Sequence, residues 1–213
     1  MAFFIFYLPL FILFPTLVGL NRYKTLDEGH KFFFYYLVLT SFFQITNALT
    51  IEITIKTKIH YCSYGVSFVL LFQTLHHWAR SLRWKKVFKV ISVFCPIVII
   101  TELFLRNQVE MLPSYGFLIN SFAFCFFALP LLVKNFSHGT LVPWENSIVL
   151  ILIPLIITLL ISFLLHLVYA IVYSSFTHPI LSRSFFVLRI LQLVSYFSFT
   201  IAMLWAPRKE IFI

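Results

Sequence analysis

Apolar runs about 20 residues long recur along this 213-residue chain with only short connections between them. Each has the length that an α-helix needs to cross the hydrocarbon core of a bilayer. Hydrophobic residues make up 61% of the chain and charged residues 11%, against about 25% charged in an ordinary water-soluble domain. With a mean hydropathy of +0.97, most of its apolar surface would face water if lipid were not its solvent. The expectation is an all-α, polytopic membrane protein: one domain over residues 1–213, a bundle of about seven transmembrane helices, and no soluble domain of any size.

The segments fall at Ala2–Leu20, Phe32–Ile51, Ile59–Trp78, Val87–Leu105, Met111–Val133, Ser147–Tyr173 and Ser184–Leu204. The first lacks a basic leader region, and Gly19-Leu20-Asn21 is a poor cleavage site, so it reads as a span and not as a signal peptide. The sixth, at about 27 residues, is long enough to tilt or to project from the bilayer. Spans two to four share no motif, proline placement or charge pattern with five to seven, so no internal repeat of the transporter kind stands out.

Cation placement orients the set. Arg22, Lys24, Lys31, Arg80, Arg83, Lys85, Lys86, Lys89, Lys134, Arg208 and Lys209 fall on one side, eleven in all. The other side carries five: Lys56, Lys58, Arg106, Arg183 and Arg189. By the positive-inside rule the N-terminus is outside or lumenal and the C-terminus cytoplasmic. The membrane is a plasma membrane, a bacterial inner membrane or an internal one. The net charge of +9 is thus a set of helix ends facing anionic headgroups. It forms no continuous patch for nucleic acid. The 28 phenylalanines read as generic lipid-facing residues.

Catalytic and metal-binding signatures are missing. The chain has no GxSxG, Walker A or Cys-x-x-Cys motif, no HExxH, and no aspartate inside any span. Segment seven contains no lysine, which excludes a retinal Schiff base there. Cys62, Cys95 and Cys125 lack metal or redox spacing and read as packing residues. No catalytic, cofactor or metal site is expected. His76 and His77 point about 100° apart on a helix, so they read as interfacial residues beside a belt of Trp78 and Trp84.

Ionisable residues inside lipid are costly and so are candidate functional groups. Glu102, His166 and Arg189 are the candidate intramembrane polar site. Glu102 reads first as a helix-end carboxylate within i,i+4 reach of Arg106, with a cross-helix pair to Arg189 as the sharper alternative. His166 reads as a hydrogen-bonded core residue. Gln44, Asn47, Gln73, Asn120 and Gln192 either bridge helices or line a polar cavity.

The run Phe68-Val-Leu-Leu-Phe72, followed by Trp78-Ala79-Arg80-Ser81-Leu82, resembles the third helix and following loop of the seven-span family typified by plant tobamovirus multiplication proteins. The match covers about 15 residues. Arg22-Tyr-Lys-Thr-Leu-Asp27 and His60-Tyr61 look instead like small, uncharacterised bacterial seven-span proteins, whose short loops and length suit this chain. The first resemblance implies a receptor-like scaffold that recruits partners at its cytoplasmic face. Ala79, not an acidic residue, precedes Arg80, and segment seven lacks Asn-Pro-x-x-Tyr, so a conventional rhodopsin-like receptor is not expected.

The functional expectation is a non-enzymatic, receptor-like seven-span protein that recruits a cytoplasmic partner or senses a small ligand in the membrane. Arg80, Arg83, Lys85 and Lys86 are its candidate partner-binding residues, and membrane lipids are its other neighbours. The alternatives are a small transporter or lipid-handling protein, with Pro96 and Pro154 as helix breaks at a binding site, or a subunit of a larger membrane complex.

Overall fold

A computed structural model of the protein describes residues 8–49, 53–79, 81–105, 115–137, 146–172 and 178–207. They form seven α-helices: α1 (Leu13–Arg22), α2 (Glu28–Leu49), α3 (Ile53–Trp78), α4 (Leu82–Leu105), α5 (Tyr115–Ser137), α6 (Ser147–Val172) and α7 (His178–Trp205). A 3-10 turn over Leu8–Ile12 leads into α1, and another over Tyr23–Thr25 follows it. Of the candidate residues, Arg80 lies outside the described residues, as do Arg106, Arg208 and Lys209 and the side chains of Asn47, Lys56 and Arg183.

Local chemistry explains where the helices start. Asp27 caps α2, its Oδ1 accepting the His30 amide at 2.8 Å, and Glu28 adds a negative charge to the first turn. Asn146 does the same for α6, its Oδ1 accepting the amides of Ile148 at 3.1 Å and Val149 at 3.4 Å. Pro96, Pro130 and Pro154 lie inside α4, α5 and α6 without interrupting them, so the two prolines expected as breaks sit in continuous helices. Neighbouring turns and helices re-satisfy a backbone freed by proline in such surroundings.

Each helix packs on its chain neighbours, and α1 packs on both α2 and α7, so the seven close into a ring. Contacts at the ends make successive helices antiparallel. At one end His76 of α3 meets the backbone of Lys85 in α4, and His30 of α2 meets Ser147 of α6. At the other, Glu102 of α4 meets the start of α5. Arg22 closes the ring. Its Nη1 donates to the carbonyls of Met203, at 2.8 Å, and Leu204, and its Nη2 to that of Ala206 at 3.0 Å. A cation thus caps the C-terminal end of α7. Gly19 permits the approach, because a Cβ there would lie 2.5 Å from Phe34 and 2.8 Å from Met203.

The interior is built of Phe33, Phe72, Phe88, Phe124, Leu75 and Leu152, all essentially enclosed. The outside is apolar too. Large apolar side chains lie exposed at helical spacing as Val38, Phe42 and Ile45 on α2, and as Val90, Val93, Phe94 and Ile97 on α4. They continue as Ile119, Phe122 and Phe126 on α5, Ile157, Leu160 and Leu164 on α6, and Val187, Ile190 and Val194 on α7. α3 packs against α2, α4 and α5 and shows only Val66 among its described large apolar residues. Among the described residues three stretches are long and apolar enough to cross a membrane: Tyr115–Phe136, Ser147–Val168 and Phe186–Trp205.

Candidate functional site

The five helices α2, α3, α5, α6 and α7 surround a cavity of about 290 Å³. Its lining changes character along the bundle. Toward the end that holds the start of α5 it gathers its charged and amide groups, with Gln44, Ser63, Tyr64, His166, Arg189 and Gln192 set among the apolar Ile59, Phe117 and Leu188. Toward the opposite end it is apolar and aromatic, with Tyr36, Phe68, Leu71, Leu155, Tyr196 and Phe199. The order repeats on each of four helices: Tyr36 to Gln44, Leu71 to Ser63, Leu155 to His166, Phe199 to Arg189.

Arg189 is the cation of this cavity. Its Nη1 donates to Gln192 Oε1 at 3.1 Å, one turn along the same helix. Among the described residues no carboxylate pairs with it; the ion pairs there are His30–Asp27 and Lys31–Glu28. His166 places Nδ1 2.7 Å from the Ser162 carbonyl and packs its ring 5.1 Å from that of Phe117. Two expected candidates, His166 and Arg189, therefore converge on one space.

Glu102 does not join them. Its two carboxylate oxygens accept the amides of Tyr115, at 2.9 Å, and Gly116, at 2.8 Å, so it caps α5 from the neighbouring helix. The polar amides divide between the two roles open to them. Gln73 donates to Ser92 Oγ at 3.0 Å and Asn120 to the Cys95 carbonyl at 3.4 Å, tying α3 to α4 and α5 to α4. Gln44 and Gln192 line the cavity.

The basic end holds a second polar cluster, which the pattern of residue types did not suggest. Asp27 Oδ2 lies 2.9 Å from His30 Nδ1, and His30 Nε2 lies 2.9 Å from Ser147 Oγ. With Nδ1–H donating to the carboxylate, Nε2 accepts from the serine hydroxyl as a neutral ring or donates to it as an imidazolium. Burial would raise the Asp27 carboxyl, but the hydrogen bond and charge of His30, with backbone amides of His30 and Gly29, outweigh it and hold Asp27 below its ordinary 3.8.

The order carboxylate, imidazole, hydroxyl is that of a nucleophile-activating triad. Acyl transfer also needs substrate access and free donors for an oxyanion. Here His30 is fully enclosed and Ser147 buried, and the Ile148 and Val149 amides are taken by Asn146. The cluster acts as a tie between α2 and α6. The signal for it in the sequence was Asp27-x-x-His30, a cap-plus-one-turn spacing; its partner Ser147 is 117 residues away.

Trp78 belongs to this tie and not to an interfacial belt. It is buried, its ring 5.3 Å and edge-on from that of His30. Gly29 makes the room, since a Cβ there would lie 2.3 Å from Trp78 Nε1. Trp84 is exposed, as a belt residue is. His77 stacks on Phe32 at 4.8 Å, and His76 reaches the Lys85 carbonyl at 2.8 Å. Among the described residues no group of three metal-ligating side chains forms. Arg83 and Lys86 are exposed and Lys85 half-buried at the start of α4, one helical turn from the exposed apolar stripe that begins at Val90. Comparison of the chain with family models, curated proteins and solved structures finds no match.

Proposed function

We propose that the protein is a non-enzymatic, receptor-like membrane protein whose seven helices all span the bilayer and whose central cavity binds a small ligand. The observation that carries this reading is Arg189, a cation with no carboxylate partner among the described residues, set in a cavity inside a lipid-facing bundle. A half-buried charge inside a lipid-facing bundle without a counter-ion is costly, and a ligand that supplies the missing contacts offsets that cost. Ligand sites are concave, mostly apolar, and carry a few convergent polar groups. This cavity has that make-up. The exposed apolar stripes on α2 and α4, like those on α5 to α7, support spanning by the less hydropathic helices as well.

The positive-inside rule places the end bearing Arg22, Arg83, Lys85 and Lys86 in the cytoplasm, where it meets anionic lipid and a protein partner. The polar end of the cavity then faces the outer or lumenal side. This agrees with the receptor-like scaffold that the resemblance to tobamovirus multiplication proteins implies.

The test is native mass spectrometry of protein extracted from its own membranes, alongside a Ser67→Phe variant that fills the cavity. A small adduct present on the wild type and missing from the variant is the expected result. A wild type that carries nothing, with the same spectrum as the variant, would overturn the reading.

A further inference from the structure

Three properties of the cavity narrow what it takes: length, shape and charge. The lining of α7 runs from Leu188 to Phe199, eleven residues or about 16 Å of helix. The linings of α3 and α6 run a similar distance. A volume of about 290 Å³ drawn out over that length is an elongated space, which suits an extended chain aligned with the helices.

Charge narrows the head group. Arg189 is the one arginine or lysine in the lining, and a guanidinium matches a carboxylate through two parallel hydrogen bonds. A phosphate monoester carries close to two charges near neutral pH and would leave one of them uncompensated. Beside Arg189, the Gln192 amide nitrogen and the Gln44 side chain have donors to spare. Gln192 uses its oxygen on Arg189, and Gln44 lines the same end of the cavity. Deeper in, the hydroxyls of Thr40 and Ser195 donate to carbonyls of their own helices, those of Tyr36 and Leu191. Those walls therefore present a chain with mostly aliphatic and aromatic surface.

We infer that the cavity binds a single-chain carboxylate of medium length, a fatty acid, with its head on Arg189 between Gln44 and Gln192 and its tail toward Leu71 and Phe199. This rests on the ligand-cavity reading above and names the ligand class for that site. The polar end lies within the first turn of the apolar stretch that begins at Phe186. The head group would thus sit near one membrane surface while the chain runs inward, parallel to the helices.

The experiment uses the full chain in nanodiscs of uncharged lipid and measures binding of dodecanoate, dodecanol and octadecanoate. Dodecanoate is expected to bind at least tenfold more tightly than dodecanol, and more tightly than octadecanoate, whose tail outruns the cavity. Arg189→Gln should abolish the preference for the acid while leaving dodecanol unchanged. Ser67→Phe, placed in the wall away from the charge, should block both short probes and guards against a misfolded arginine variant.

Equal binding of acid and alcohol, or an acid preference that survives Arg189→Gln, would overturn the inference. So would binding that Ser67→Phe leaves intact, which would place the acid on the lipid-facing surface. The native mass spectra separate the two failures. A Ser67-sensitive adduct with no response to dodecanoate removes the ligand class alone, and an empty wild type removes the cavity reading with it.

Discussion

Asp27 does two jobs with two oxygens: Oδ1 caps α2 and Oδ2 orients His30. The carboxylate is favoured in the folded protein, since its pKa lies below the ordinary 3.8. Its contribution to stability is therefore complete above that value and fades as pH falls through the lower, folded one. The wild type should lose thermal stability on acidification below about pH 4. Asp27→Asn keeps the cap but removes the charge, and it should flatten that part of the profile. Melting curves from pH 6 to pH 3 on both proteins test this, and parallel profiles would show that the charge of Asp27 is not what His30 needs. Asp27→Ala should in addition cost about 1 kcal/mol for the lost cap. The cap was legible in the residue types Asp27, Glu28 and His30, but the tie was not. Spacing within a segment says which face a residue occupies, and nothing in it says that residue 147 arrives opposite residue 30. Trp78 misled for a related reason. A tryptophan before a basic run has the look of a membrane anchor, and only the bare backbone of Gly29 on another helix makes it a buried one.

Helix ends, more than helix faces, hold these elements in register. Arg22 serves the end of α7, Glu102 the start of α5, and Asp27 and Asn146 the starts of their own helices. Arg22→Gln should cost about 1.5–3 kcal/mol, the range for a hydrogen-bonded charge. The loss should be local. Hydrogen exchange would speed up in α1 and in the last turn of α7, leaving the α3–α4 pair unchanged, and acceleration spread evenly over all helices would argue against a specific closure. The helices themselves were legible from apolar run lengths, though their charged ends were cut short. α3 begins at Ile53 and not at Ile59, and α4 at Leu82 and not at Val87. Hydropathy marks what lipid can hold, and α3 and α4 run on past that limit through charged opening turns that carry Lys58 and Arg83. Arg22 read as an orientation mark alone, because a count of cations does not reveal that one of them points into a neighbouring helix end.

For the molecule as a whole, cation asymmetry, outward apolar stripes and an interior cavity together define an up-and-down ring with one basic face. Single reporter cysteines at Lys86 and Lys58, in a background lacking Cys62, Cys95 and Cys125, should react with an impermeant thiol reagent from opposite sides of the membrane. Reaction of both from one side would overturn the seven-span topology. His166 and Arg189 could be picked out of the sequence because charge and imidazole are rare in lipid. Their convergence could not be read there, nor could the departure of Glu102 to cap α5, since both depend on how the ring closes. That closure has a consequence for how the protein is made. The carbonyls that Arg22 serves lie 181 to 184 residues downstream, so α1 is synthesised well before the α7 partners it needs exist. Until then α1 has only α2 to lean on, Gly19 faces a vacancy where Met203 will sit, and the wall formed by α7 is missing from the cavity. Assembly is therefore finished in a single late step, and a nascent chain stalled before α7 is an open arc whose most hydrophobic surfaces are held by lipid or by the insertion machinery alone.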